Sequence, residues 1–127
     1  YECIVINRGM SVTKNNRATG SIYEEKIAAF LKQNGFMILA RNYRCKQGEI
    51  DIIAKDGKYF VFIEVKFRAS GSAGFSLAAI DHRKAMRIRN AAVYYLFSHQ
   101  FPEETPCRFD AAGIDGEEIT FITNALS

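Results

Sequence analysis

Cysteine is scarce and poorly spaced in this chain. Cys3, Cys45 and Cys107 are odd in number, lie far apart and lack the C-x-x-C step that structural zinc and thiol redox sites use. Free thiols in a reducing compartment are expected, and a zinc site is not. Long apolar runs are missing as well: the longest, Tyr59–Ile63, falls far short of the roughly 20 residues needed to cross a bilayer, and no charged-then-apolar leader opens the chain. A cytoplasmic protein without a membrane partner follows as the expectation. Tryptophan is absent, which removes the usual platform for sugar rings and weakens a glycosidase reading of any carboxylate pair. A strong net charge is lacking too, since 17 Lys and Arg against 14 Asp and Glu leave only +3.

What is present is enough hydrophobic material, 48% of 127 residues, for one domain with its own core. The charge is polarised. Six basic residues (Lys66, Arg68, Arg83, Lys84, Arg87, Arg89) stand between positions 66 and 90 against Asp81 alone, whereas six acidic residues face Arg108 between positions 100 and 118. A molecule of that kind offers a positive face to phosphates despite its modest total.

Residues 1–19 show no sustained period and are read as a flexible amino-terminal arm or an appended remnant, with a single domain over 20–127. From Ser21 the pattern is helical: Tyr23, Ile27, Phe30 and Leu31 share a face, and Gly35 is placed to stop the helix. Three strands are expected next, over 37–43, 49–54 and 59–67, then a loop at "ASGSAG". A second helix is expected from about residue 80 to 98 with Ala85, Ile88, Ala92 and Tyr95 inward, and a last pair of strands around Asp115-Gly116. The order α-β-β-β-α-β-β predicts an α/β fold with a mixed central sheet flanked by helices, not a regularly alternating one.

The most informative stretch is "GEIDIIAKDGKYFVFIEVKFR", residues 48–68, two strand-like runs carrying Asp51, Glu64 and Lys66. If Asp56-Gly57 forms a two-residue turn, Lys55 lies opposite Lys58, Asp51 opposite Phe62 and Glu49 opposite Glu64. Side chains alternate along a strand, so this register sets Glu49, Asp51, Glu64 and Lys66 on one face, with Asp51 and Glu64 diagonal neighbours about 7 Å apart or less at Cβ. Two carboxylates so close in a partly apolar setting need a counter-charge, either a bound divalent cation or Lys66. The plainer account is a solvated face with a Glu64–Lys66 surface pair. It is weakened because both faces of 59–67 are otherwise apolar, the mark of a strand covered on both sides, so charges at its end mark where the sheet opens.

Asp51, the hairpin and then Glu64-Val65-Lys66 together resemble the PD-(D/E)xK nuclease core, although Ile50 stands where the name-giving Pro would be. More closely, "GSIYEEKIAAFLKQNGFMILARNYRCKQGEIDIIA", "FIEVKFR", the helix with Lys84 and Arg87, and "RFDAAGI" resemble the YraN-like family of small bacterial proteins, predicted endonucleases similar to archaeal Holliday junction resolvases. The resemblance covers about residues 17–115 and implies a restriction endonuclease-like core. It also implies a role for Glu24, which matches the acidic helix residue of those resolvases by its distance from Gly20. Ser21-x-x-Glu24 is equally a helix capping box, and both accounts of Glu24 stand at this level.

The expected function is metal-dependent hydrolysis of phosphodiester bonds in DNA, branched or junction DNA included, with DNA ahead of RNA as partner. Asp51 and Glu64 would hold Mg²⁺ or Mn²⁺, with the Val65 carbonyl as a further ligand and Glu24 reaching the ion directly or through water. Lys66 would orient water and stabilise phosphate charge, and Arg68, Lys84 and Arg87 would hold the nucleic-acid backbone. The alternative is a nucleic-acid-binding or assembly module that keeps this fold without turnover. A homodimer is compatible with the resemblance, since junction resolvases of similar shape work in pairs.

Overall fold

The computed structural model describes residues 3–7, 16–68, 81–115 and 118–126. Their elements are β1 (Cys3–Asn7), α1 (Asn16–Gln33), β2 (Met37–Cys45), β3 (Gly48–Asp56), β4 (Tyr59–Arg68), α2 (His82–Ser98), β5 (Cys107–Asp115) and β6 (Glu118–Ile122). After β1 the order is the α-β-β-β-α-β-β read from the sequence. The six strands form one sheet in the order β1-β6-β5-β4-β3-β2, antiparallel except where β5 runs parallel to β4. That single parallel pair is what α2 makes necessary: a chain leaving the end of β4 must cross over before it can run alongside β4 in the same direction. The result is a mixed α/β fold with a helix on each face of the sheet.

The amino-terminal segment differs from its sequence reading. Cys3–Asn7 pairs antiparallel with β6, and α1 begins at Asn16, so elements of the fold occur within the 1–19 region set aside as an arm. The short run Ile4-Val5-Ile6 has strand propensity, but its partner lies at the far end of the chain, so local pattern alone does not join it to the sheet.

Each helix covers one face. Tyr23, Ile27, Phe30 and Leu31 of α1 pack with Ile52, Ala54, Val61 and Ile63, and with Ala112, Ile114, Ile119 and Phe121. α1 ends as Gly35 turns to φ 88° and the Phe36 N–H returns to the Leu31 carbonyl at 3.0 Å, a glycine-stopped helix end. On the other face Ile88, Ala91, Ala92 and Tyr95 of α2 pack against Ile50, Ile53, Phe60 and Phe62. Asp81 caps α2, its carboxylate accepting the Lys84 N–H at 2.9 Å. β4 is therefore apolar on both sides, as the sequence run required.

The hairpin corrects one detail on which much depended. Asp56 pairs with Tyr59, so the turn is Gly57-Lys58 rather than Asp56-Gly57, with Gly57 at φ 60°. Ile53 opposes Phe62 and Ile52 opposes Ile63, a register two residues from the expected one. A slip of two preserves the faces, because side chains repeat with period two. The ladder ends at Ile52–Ile63, and Asp51 and Glu64 are the next residues of the two strands beyond it. Glu49 does not face Glu64; it pairs with Arg44 of β2, in register and as an ion pair at 3.2 Å.

Candidate metal and phosphate site

At the end of the β3–β4 pair the regular ladder gives way to side-chain contacts. The Val65 N–H donates to Asp51 Oδ2 at 2.8 Å. Ile50 and Ile53 belong to the α2 face and Ile52 to the α1 face, so the pleat of β3 breaks its alternation at Asp51. Asn42, opposite Asp51 in the β2–β3 register, has φ 55°, a left-handed conformation that asparagine tolerates better than most residues. The local kink turns the Asp51 carboxylate over the neighbouring strand.

Glu64 is the buried charge of this site, 6% exposed in a strand of apolar neighbours. Its carboxyl is pushed up to about 7, first by burial, then by the Asp51 charge and a hydrogen bond with Asp51, against which Lys84 pulls it down. Lys84 Nζ lies 3.1 Å from Glu64 Oε1, reaching from the first turn of α2 to the sheet. The stripe that holds Lys84 beside the inward-facing residues of α2 thus points it into the site. It is not only part of a solvated basic face.

Glu64, Val65 and Lys66 pair with Ala111, Ala112 and Gly113, so β5 sets only small residues beside the charged groups. Lys66 is half-buried and, by alternation along β4, shares the face of Glu64. Arg68 ends β4 opposite Asp115; its side chain lies outside the described residues.

Glu24 enters from α1. Because that helix starts at Asn16, Glu24 sits well inside it, and the capping-box account of Ser21 and Glu24 falls away. Glu24 and Asp51 line one small cavity of about 100 Å³ with Arg41, Asn42, Ile52 and Val65. Arg41 lies between the acidic groups of α1, 4.0 Å from Glu24 and 3.0 Å from Glu25. Among the described residues no three His, Cys, Asp or Glu side chains stand close enough together to hold a metal ion as they are placed. Asp51 and Glu64 meet, and Glu24 shares its cavity with Asp51 but not with Glu64, which pairs with Lys84 of α2.

Outside the site, a groove of about 320 Å³ is lined by Arg83, Lys84 and Arg87 with Glu49, Asp81 and Ile88. Gly48 fixes its floor: a Cβ there would lie 2.9 Å from the Arg87 carbonyl oxygen, so only glycine lets β3 and α2 approach this closely. Two features escaped the sequence reading. Arg41 and Asn42 sit in a strand that otherwise looks ordinary; an Asn amid β-formers was the only trace. Arg108 was seen only as a lone base among acids, yet it holds buried Asp110 at 2.9 Å and Asp56 at 3.1 Å.

The fold is a mixed α/β sheet whose central hairpin presents Asp51 and then Glu64-x-Lys66. The family model described as uncharacterised protein family UPF0102 matches residues 23–114, and the chain belongs to that family, the YraN-like proteins. A UPF0102 protein of Lachnoclostridium phytofermentans is 48% identical over 112 residues, covering 88% of this chain and 95% of its own. One from Fusobacterium nucleatum is 41% identical over 112 residues, 88% and 93% of the two chains. A third, from Legionella pneumophila strain Corby, is 38% identical over 109 residues, 84% and 92%. No helix among the described residues is long and apolar enough to cross a membrane.

Proposed function

We propose that this protein is a metal-dependent endonuclease that hydrolyses phosphodiester bonds in DNA, with branched or junction DNA the form that the family resemblance favours. The observation behind it is the meeting of Asp51 with a buried Glu64 at the open end of the sheet, beside Lys66 and Lys84. The donors are hard oxygens, which suit Mg²⁺ or Mn²⁺, and their crowding is relieved by a second positive charge beyond the one ammonium that reaches Glu64.

In this reading Asp51, Glu64 and the Val65 carbonyl would hold the ion, with Glu24 reaching it directly or through water, and the bound ion would supply polarisation of a phosphoryl oxygen and a hydroxide nucleophile near neutral pH. Asp51 is already oriented by the Val65 N–H. Glu64 must give up its proton to take part. Lys66 orients the attacking water and stabilises charge growing on the phosphate. Lys84, released from Glu64, joins Arg87 and Arg68 on the DNA backbone.

One observation favours a second reading, a nucleic-acid-binding module without turnover: Lys84 already neutralises Glu64 at 3.1 Å. Cleavage of labelled single-stranded, duplex and four-way-junction DNA with Mg²⁺, Mn²⁺ or EDTA separates the two. The nuclease reading expects metal-dependent products that fall at least ~100-fold with Asp51→Asn or Lys66→Ala, the order of loss for a removed charge-stabilising or acid–base group. Activity that survives either substitution overturns it, and binding without cleavage on any substrate moves the protein to the second reading.

A further inference from the structure

The outer face of α2 holds a pattern that packing does not explain. Helical spacing sets Arg83, Arg87, Asn90, Tyr94 and Phe97 on one stripe, in steps of four, three, four and three. All five are exposed, Phe97 at 76% and Tyr94 at 42%. The inward stripe of Ile88, Ala91, Ala92 and Tyr95 already joins α2 to the sheet, so these two aromatics serve no core.

Two hollows follow this stripe. One is the basic groove of Arg83, Lys84 and Arg87 against Glu49. The other, about 300 Å³, is lined by Asn90, Val93, Tyr94 and Phe97 against Gln47. Gln47 and Glu49 flank Gly48 where β2 turns into β3, so both hollows run along the same edge of α2, basic near Glu64 and aromatic away from it. At 1.5 Å per residue, Lys84 and Phe97 are ~20 Å apart along the axis, the reach of a few nucleotides.

We propose that this face holds a single-stranded segment of the nucleic acid, its phosphates on Arg83 and Arg87 and its bases stacked on Tyr94 and Phe97. The adjoining backbone is then led past Lys84 to Glu64. The direction toward Glu64 rests on the nuclease reading; the binding surface itself does not. A cationic stretch continued by an aromatic one supplies what sequence-tolerant single-strand binding needs, because every base has a π-face and every nucleotide a phosphate. A second copy of the chain fits less well. Two partly exposed aromatics, each ~150–250 Å² when whole, fall well short of the ~800 Å² per partner of a stable interface. Pairing here would also cover the groove that opens toward Glu64.

The test is fluorescence anisotropy in EDTA, so that no cleavage occurs, with labelled oligo(dT), a blunt duplex of equal length, and that duplex with an oligo(dT) tail. Tyr94→Ala and Phe97→Ala are each expected to weaken oligo(dT) and tailed-duplex binding ~5- to 150-fold, the range for one lost stacked base, with the double substitution weaker still and blunt-duplex binding little changed. Phe97→Tyr should restore stacking and Phe97→Leu should not. Arg87→Ala should weaken all three probes and reduce the slope of log affinity against log salt by about one. Equal loss on duplex and single strand, no loss at all, no binding of oligo(dT) by the unmodified protein, or a dimer that the double substitution converts to monomer by sedimentation would each overturn the proposal. Persistent single-strand binding with no nuclease activity in any metal would leave the surface standing and remove only the catalytic reading.

Discussion

Glu64 is the residue on which the site turns. A carboxyl whose pKa is raised from 4.5 to about 7 binds its proton more tightly folded than unfolded. The stability it favours is therefore fully present below about pH 4.5 and is lost as pH rises through about 7. Metal-free protein is expected to lose on the order of 2–3 kcal/mol across that window from this group, and Glu64→Gln should flatten the profile, as followed by urea unfolding at stepped pH in EDTA. A profile unchanged by Glu64→Gln would place the titration elsewhere. Lys84 works against the shift, so its ion pair with Glu64 is part of what makes the burial tolerable. At this scale the sequence was legible where chemistry is local: Asp51, Glu64 and Lys66 could be named from their spacing in a hairpin. Arg41 and Asn42 could not, since their roles come from a φ of 55° and from α1 lying across β2.

At the scale of elements, the β3–β4 turn sits one residue later than the Asp56-Gly57 pair predicts. Asp-Gly is a common hairpin pair, yet here Asp56 closes the ladder against Tyr59 and Gly57 takes the left-handed position. Arg108, hydrogen-bonding Asp56 from β5, holds Asp56 in that closing position. The faces survived the error because the register moved by two; a one-residue loop change would have parted Asp51 from Glu64. The junction of β3 with α2 makes a separate prediction. Gly48→Ala sets a Cβ against the Arg87 backbone carbonyl, which cannot swing aside as a side chain would, so a loss of ~1–3 kcal/mol is expected in urea unfolding. The shifted helix should also weaken DNA binding, through displaced Lys84 and Arg87. Unchanged stability would show that α2 can retreat without cost.

The whole molecule is organised around a sheet buried on both sides, polarised into two ends. One end gathers Asp51, Glu64, Lys66 and Lys84; the other gathers Asp56, Arg108 and Asp110 where the β3–β4 turn meets the start of β5. Asp110 is 1% exposed, with its carboxyl raised by burial and lowered by Arg108 and by the Asn124 N–H. Arg108→Ala leaves that charge uncompensated, and a loss of ~3–5 kcal/mol is expected by thermal or urea unfolding. A loss below 1 kcal/mol would mean Asp110 can take up a proton or water at little cost. The order of elements was legible from hydrophobic periodicity, because each helix and strand announces its own buried face. β1 is the exception: its β-branched run Ile4-Val5-Ile6 has strand propensity, but its partner β6 lies at the opposite end of the chain, so the pairing that makes it part of the sheet is not legible locally.

The central claim is that Asp51 and Glu64 form one cation site. It is tested most directly by titrating metal-free protein with Mn²⁺ in a calorimeter at pH 6.5, in two buffers of different ionisation enthalpy. The account predicts one ion per chain, release of a fraction of a proton from Glu64, and loss of at least ~10-fold in affinity with either Asp51→Asn or Glu64→Gln. No binding by the unmodified protein, or binding equally strong in both variants, would contradict it.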